Sequence, residues 1–285
     1  MAVLLRAAVP TDAGPAGRIC YDAFRTIAEQ HGFPPDFANR EMTTQLLHEL
    51  VSRPDVHGVV AEIDGHVAGS NFLWERAPVA GIGPITVDPA LQNATVGRRL
   101  MEAILERAQR KRFRSVRLVQ AAYHSRSLSL YTKLGFVARE QLAVVQGKAF
   151  EVQLPGYAVR RAREADVLAA SEICRRVHGH DRREELIDAV RKGSATVVER
   201  EGRLTGYATD VGFFGHAVAV STEDLKALVA TAPTFSGPGF LVPVRDTDLF
   251  RWCLECGLRV VQPMTLMSVG DYQQPRGAYL PSVLF

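Results

Sequence analysis

The segment Val87-Asp-Pro-Ala-Leu-Gln92-Asn93-Ala94-Thr95-Val96-Gly97-Arg98-Arg99-Leu100 decides the reading of this chain. It leads from a strand-like run, Ile82 to Val87, into the most regular helical pattern of the sequence. That pattern extends from about Val96 to Arg112, with Val96, Leu100, Ile104 and Ala108 recurring every four residues. A tight strand-to-helix turn aims several backbone N–H groups and the positive helix end at one point, which suits a pyrophosphate. Gly97 would let the main chain approach phosphate oxygens closely. By itself the segment does not separate a phosphate turn from an ordinary loop with one glycine.

Strands and helices alternate around it. Val3 to Val9 reads as a strand, and Thr11 and Asp12 offer caps for a helix carrying Ile19, Cys20, Phe24 and Ile27 on one face. Pro34-Pro35 follows the end of that helix, and Glu41 to Ser52 reads as a second. Val59 to Ile63 and Val67 to Trp74 flank Asp64-Gly65, a hairpin signal. Beyond the long helix, Val116 to Ala122 is a strand, Ser125 to Leu134 a short helix and Phe136 to Val145 a strand.

The composition fits a soluble globular protein: 285 residues, 47% hydrophobic and 23% charged. A formal net charge of only +3 argues against a dedicated nucleic-acid binder. No apolar run reaches the roughly 18 residues of a membrane-spanning helix, and the start is too short for a signal-peptide core. Four cysteines do not make a disulfide framework and read as reduced thiols of a cytoplasmic protein. Cys253 and Cys256 form a lone CxxC with no partner pair for zinc, and His178-Gly-His180-Asp181 reads as a helix cap around Gly179. No metal is expected.

A second segment gives the first its meaning: His124-Ser-Arg-Ser127-Leu-Ser-Leu130-Tyr131-Thr-Lys133-Leu-Gly135-Phe136. Here the sequence resembles the GNAT superfamily of acetyl-CoA-dependent N-acetyltransferases. The family's pyrophosphate loop, Gln/Arg-x-x-Gly-x-Gly/Ala, fits Gln92 to Gly97 except that Thr95 replaces the first glycine. The family's Leu-Tyr-x-Lys-x-Gly-Phe ending is matched throughout by Leu130 to Phe136, and His124 stands where Asn is common. The close resemblance covers about residues 80 to 140. Thr95 is expected to be the helix N-cap, because positive φ would be costly for a β-branched residue.

The resemblance implies a mixed central α/β sheet flanked by helices and splayed between Ile82–Val87 and Val116–Ala122 to admit the pantetheine arm. Acetyl-CoA would be the acyl donor and an amine the acceptor, attacking the thioester directly. Tyr131 would act as general acid toward the leaving thiolate, and a backbone N–H of Ile85, Thr86 or Val87 would stabilise the oxyanion. The cofactor contacts implied are Ile85, Thr86, Val87, Gln92, Asn93, Ala94, Thr95, Val96, Gly97, Arg98, His124, Ser127 and Tyr131. Glu75 is the first choice among candidates for the general base, with His48 and Glu49 as rivals. A non-catalytic acyl-CoA sensor, with Thr95 and His124 as marks of decay, is the alternative.

The second half repeats the first. Arg6, Asp12, Ile19 and Cys20 match Arg160, Asp166, Ile173 and Cys174 at an offset of 154, and Gly65 and Gly69 match Gly202 and Gly206 at 137. Two domains are expected, 1–152 and 157–285, the second a degenerate copy. Its counterpart of the cofactor turn reads Val218-Ala-Val-Ser-Thr-Glu223-Asp224-Leu225, and Cys253 stands in the place of Tyr131. One acetyl-CoA per chain follows, with the second half helping to build the acceptor side. The apolar end, Tyr279 to Phe285, is expected to dock on a neighbouring surface. The duplication could stand in for a homodimer, or two chains could pair.

Overall fold

The computed structural model describes residues 2–76, 78–91 and 95–284. The chain divides into two compact units, Met1–Val137 with Met267–Asp271, and Ala138–Leu266 with Tyr272–Phe285. Residues 138–152, assigned from sequence to the first domain, thus lie in the second unit.

The first unit contains, in chain order, β1 (Val3–Ala7), α1 (Ala13–Gln30), α2 (Arg40–Ser52), β2 (Val56–Ile63), β3 (His66–Trp74), β4 (Val79–Ile82), β5 (Thr86–Val87), α3 (Val96–Arg110), β6 (Ser115–Ala121) and α4 (Ser125–Lys133). Its sheet runs β1-β2-β3-β4-β6, continued beside β6 by the Met267–Asp271 segment. β2 and β3 form the hairpin expected at Asp64-Gly65, whose φ values of 50° and 79° are those a two-residue hairpin turn requires. All four α3 positions with the four-residue spacing are buried, and Met101 joins them. Each such aliphatic side chain contributes roughly 1.5–3 kcal/mol by burial. α1 lies close on α2 because Gly17 has no side chain: a Cβ there would stand 2.5 Å from Thr44 Cα. The Thr43 hydroxyl donates to the Gly17 carbonyl at 2.8 Å, which fixes that contact.

One expected strand is two. Ile82 to Val87 divides into β4 and β5, separated by Gly83-Pro84. Gly83 has φ of 147°, a conformation that favours glycine, and Pro84 has no N–H to give to a ladder. β4 therefore pairs in parallel with β6 only from Val79↔Ser115 to Gly81↔Arg117. β5 pairs with β3, through Gly69↔Val87 and Ser70↔Thr86, and not with β6. Leu118–Ala121 of β6 runs on past the end of the parallel ladder, which is the splay expected of the sheet.

The second unit takes up β7 (Val137–Gln146) from Ala138 onward, then β8 (Tyr157–Arg161), α5 (Val167–His178), α6 (Arg183–Lys192), β9 (Thr196–Arg200), β10 (Arg203–Ala208), β11 (Ala217–Ala219), α7 (Thr222–Ala230), β12 (Phe240–Pro243), α8 (Thr247–Glu255), β13 (Arg259–Gly270, as far as Leu266) and β14 (Ala278–Leu280). Five strands are ordered β14-β11-β10-β9-β8, and β7 lies between β13 and β12.

The repeat seen in sequence recurs in side-chain geometry. Arg6 donates to Asp12 and Glu62, and Arg160 donates in the same way to Asp166 and Glu199. Hydrogen bonds from these arginines hold both aspartates below the ordinary carboxylate range. Each aspartate also accepts the backbone N–H three residues before it, from Val9 and Arg163 respectively.

Candidate active site

The candidate site forms where β5, the N-terminus of α3 and α4 meet. A Cβ built on Gly97 would lie 3.6 Å from Val87 Cγ2 and 3.7 Å from Leu130 Cδ2, so these three elements converge at the glycine. Those are ordinary contact distances, and Gly97 is helical. Among the described residues, therefore, nothing excludes a Cβ at this position.

Gln92, Asn93 and Ala94 lie outside the described residues. Thr95 occupies the N-cap position of α3 as expected, but with φ of 62° and no side-chain cap hydrogen bond. This corrects the expectation of an extended cap: the turn needs a left-handed residue here, and a threonine held in it costs roughly 1–3 kcal/mol. Its carbonyl accepts the Arg99 N–H at 3.0 Å, so the helix still starts at this residue. Val96 is buried, while Arg98 reaches Glu102 in an exposed pair at 3.4 Å.

On the strands flanking the split, Thr86 and Gln120 are buried, at 4% and 6% exposure. Among the described residues, Thr86 Oγ1 and both amide atoms of Gln120 have no hydrogen-bond partner. A buried amide without partners is costly, so polar groups of this kind suit a ligand with amides of its own, as the pantetheine arm has. Ile85, between Pro84 and Thr86, packs against the core.

His124 caps α4. Its Nδ1 accepts the Ser127 N–H at 3.1 Å, the job an asparagine would do at this position. Burial, aided by Arg126 and His31, pushes the imidazole down to about 4, so the ring is neutral near pH 7 and carries its proton on Nε2. Because the folded value lies below the unfolded one of about 6.5, the unfolded chain takes up this proton first. The contribution of His124 to stability is complete above about pH 6.5 and is lost as pH falls toward 4. Thermal melts should show a shallower decline of Tm over that window for His124→Asn than for the unsubstituted protein.

Tyr131 is 5% exposed and packs obliquely on Phe136 with ring centroids 6.1 Å apart. Burial raises the phenol to about 12 against the opposing hydrogen bond of Ser127. It remains a donor throughout the physiological range. A wall of aromatic rings stands next to His124: Phe33 stacks on Tyr123 at 4.3 Å, with His31 at 5.2 Å. In the sequence, Tyr123 carries no local signal beyond its place beside His124.

Glu75 does not have the freedom a general base needs. Its carboxylate accepts from Arg107 Nε at 2.6 Å and lies 3.6 Å from Lys111 Nζ. Burial pushes it up, but the Arg107 hydrogen bond and the two cations prevail and hold it below the ordinary range. Two cations at the end of α3, Arg107 and Lys111, thus share a specific partner. Glu75→Gln is expected to lower Tm while leaving kcat within about threefold, whereas loss of a true base costs roughly 100-fold or more. Steady-state kinetics on the folded variant distinguish these. His48 and Glu49 lie on α2.

The second unit has no equivalent turn. Gly206↔Ala219 pairs as Gly69↔Val87 does. Eight residues separate Val87 from α3, but only two separate Ala219 from α7. The starts of α7 and α8 are capped by side chains: Ser221 accepts the Asp224 N–H, and Asp246 the Leu249 N–H. A cavity of about 340 Å³ is lined there by Ser221, Asp246 and Asp248 among others; its one arginine, Arg245, is paired with Glu140, and the two aspartates disfavour a pyrophosphate. The free edge of β11 is also taken. β14 pairs with it through Ala217↔Leu280, Val218↔Tyr279 and Ala219↔Ala278, so the apolar tail docks within its own unit. Cys253, the counterpart of Tyr131, is fully buried in α8, and Cys256 is exposed. Gly179 caps α5 with φ of 78°, as expected.

No helix among the described residues is long and apolar enough to cross a membrane. Comparison with known proteins agrees with the fold. Residues 21–136 match the acetyltransferase (GNAT) family. A Bacillus subtilis (strain 168) protein provisionally named a [ribosomal protein bS18]-alanine N-acetyltransferase is 31% identical over 88 residues, which are 31% of this chain and 58% of that protein. The chain thus spans somewhat over half the length of that curated relative. A Pyrococcus horikoshii protein provisionally named an acetyltransferase superposes with a TM-score of 0.72 at 20% identity, over 94% of this chain and 89% of its own. A tandem GNAT protein from the clavulanic acid biosynthesis pathway superposes with a TM-score of 0.58 at 13% identity, over 94% and 98%. Residues 21–136 are thus similar to the acetyltransferase (GNAT) family, and the fold over most of the chain is similar to that of a tandem GNAT protein.

Proposed function

We propose that the protein transfers the acetyl group of acetyl-CoA to an amine, and that the first unit holds its sole acyl-donor site. The observation that carries this reading is the split after Gly81, with Thr86 and Gln120 on its two strands and the α3 N-terminus at Gly97 beside it. The pyrophosphate would meet the α3 N-terminus around Thr95 to Arg98, and the pantetheine arm would lie along Ile85 to Val87 with His124 and Ser127 opposite. Gln92, Asn93 and Ala94, outside the described residues, complete the motif in sequence.

In the reaction the amine nitrogen attacks the thioester carbonyl carbon, and a backbone N–H of the Ile85–Val87 segment takes the developing oxyanion. The C–S bond then breaks, and the thiolate accepts a hydrogen bond or proton from Tyr131, while the amine proton passes to water. A phenol near 12 is a weaker acid than a thiol near 8.5, so Tyr131 acts chiefly as a hydrogen-bond donor to the departing sulfur. The ion pair of Glu75 with Arg107 supports a positioning role on β3–β4 in place of base catalysis.

Thiol release from acetyl-CoA, measured against a panel of small amines and an alanine-ended peptide, tests the reading. The peptide is included because of the B. subtilis relative's name. Turnover with one acceptor class supports transfer; CoA binding with no turnover on any acceptor would instead support an acyl-CoA sensor.

A further inference from the structure

We propose that Cys174, His178 and His216 of the second unit bind one divalent transition-metal ion, with Zn²⁺ the natural occupant. All three are buried, and their ligand atoms lie within 4.8 Å of one another. Cys174 and His178 stand four apart on α5 and so project from one helix face. His216 comes from the turn that precedes β11. That turn is rigidly held: the His216 N–H donates to Thr209 Oγ1 at 2.9 Å, and the Thr209 N–H to the His216 carbonyl at 2.8 Å.

The donor spacing is what an ion needs. Zinc takes imidazole nitrogen at about 2.0–2.1 Å and thiolate sulfur at about 2.3 Å, which sets tetrahedral nitrogens roughly 3.3 Å apart. His178 Nε2 and His216 Nε2 are 3.1 Å apart. A thiolate with two imidazoles is a donor set for zinc, not for calcium or magnesium. Three protein ligands leave one position for a water molecule. Around the ligands, the Tyr279 ring meets His178 edge-on at 5.0 Å, and the Tyr207 ring lies 5.8 Å from that of His216. These surroundings orient the ligands.

The comparison of the two copies shows that the imidazoles are not inherited packing. At the offset of 154, Cys174 corresponds to Cys20, but His178 corresponds to Phe24. By the strand register that pairs Gly206 with Ala219 and Gly69 with Val87, His216 corresponds to Pro84. Two apolar positions of the first copy are thus histidines facing one another in the second. On binding, the Cys174 thiol gives its proton to solvent and the two imidazoles bind as neutral ligands.

The test uses the full chain without a histidine tag. Chelator-treated protein titrated with Zn²⁺ should bind one equivalent, with Tm rising by roughly 5–10 °C at a hundredfold excess over Kd. Co²⁺ in place of Zn²⁺ should give the visible bands of a tetrahedral ion and a thiolate-to-cobalt charge-transfer band. Cys174→Ser should abolish that charge-transfer band, His216→Gln should weaken binding at least tenfold, and Cys256→Ser should change neither. Absence of stoichiometric binding by the unsubstituted chain would overturn the proposal and leave the cluster a proton-sharing pair of imidazoles beside a thiol. A charge-transfer band that survives Cys174→Ser would overturn it equally.

Discussion

Replacing Tyr131 by phenylalanine is expected to lower kcat by roughly ten- to a thousandfold while leaving CoA affinity nearly unchanged. The range follows from what is lost. A hydrogen bond to a charged group contributes about 1.5–3 kcal/mol, and acid assistance adds where the proton moves further. The ring itself stays, so the packing on Phe136 and the fold should be kept. Because burial raises the phenol to about 12, ionisation of Tyr131 should not cause an alkaline fall in kcat below about pH 11. Steady-state kinetics and CoA titration on the same preparation measure both quantities. Full activity in the variant would remove Tyr131 from the mechanism.

Gly97 gives a second large effect, and two substitutions separate its causes. Gly97→Glu places a carboxylate at the α3 N-terminus and should abolish CoA binding by steric block and repulsion. Gly97→Ala is the finer probe. An added Cβ would make only ordinary contacts with Val87 and Leu130, so the variant should fold. Alanine is also a better helix former, by roughly 0.8–1 kcal/mol. If the main chain must approach phosphate oxygens, affinity should fall at least tenfold while Tm holds or rises. Calorimetry and thermal melts on both variants check this, and unchanged affinity in Gly97→Glu would show that the turn is misassigned.

Where a single element carries its own signal, the sequence is a good guide. The four-residue spacing of Val96, Leu100, Ile104 and Ala108 placed α3 and its buried face, and Asp64-Gly65 placed the β2–β3 hairpin. The repeat was legible because Arg6 with Asp12 and Arg160 with Asp166 keep both residue types and spacing. The interruption of the third strand was missed, although Gly83-Pro84 is a breaker pair, because the flanking residues Ile82 and Ile85 to Val87 still look like one apolar run. Thr95 was read by its hydroxyl, but the path of the backbone through the turn sets its φ, and that is a property of the whole loop. Strand membership is less legible still. Nothing local to Ala138–Gln146 or Met267–Asp271 says which unit each segment joins. The same holds for His216, which meets Cys174 and His178 only through the pairing of β10 with β11.

On the proposed function, one copy kept the acyl-donor site and the other lost it. The first keeps eight residues between Val87 and α3, and its β4–β6 ladder ends at Gly81↔Arg117. The second has a turn shortened to two residues, carboxylates at its helix starts, and β14 on the edge of β11. Calorimetric titration of the full chain with CoA tests this directly. The stoichiometry should be one per chain and should fall to zero in Gly97→Glu. Two equivalent sites per chain, or one site that survives Gly97→Glu, would contradict it.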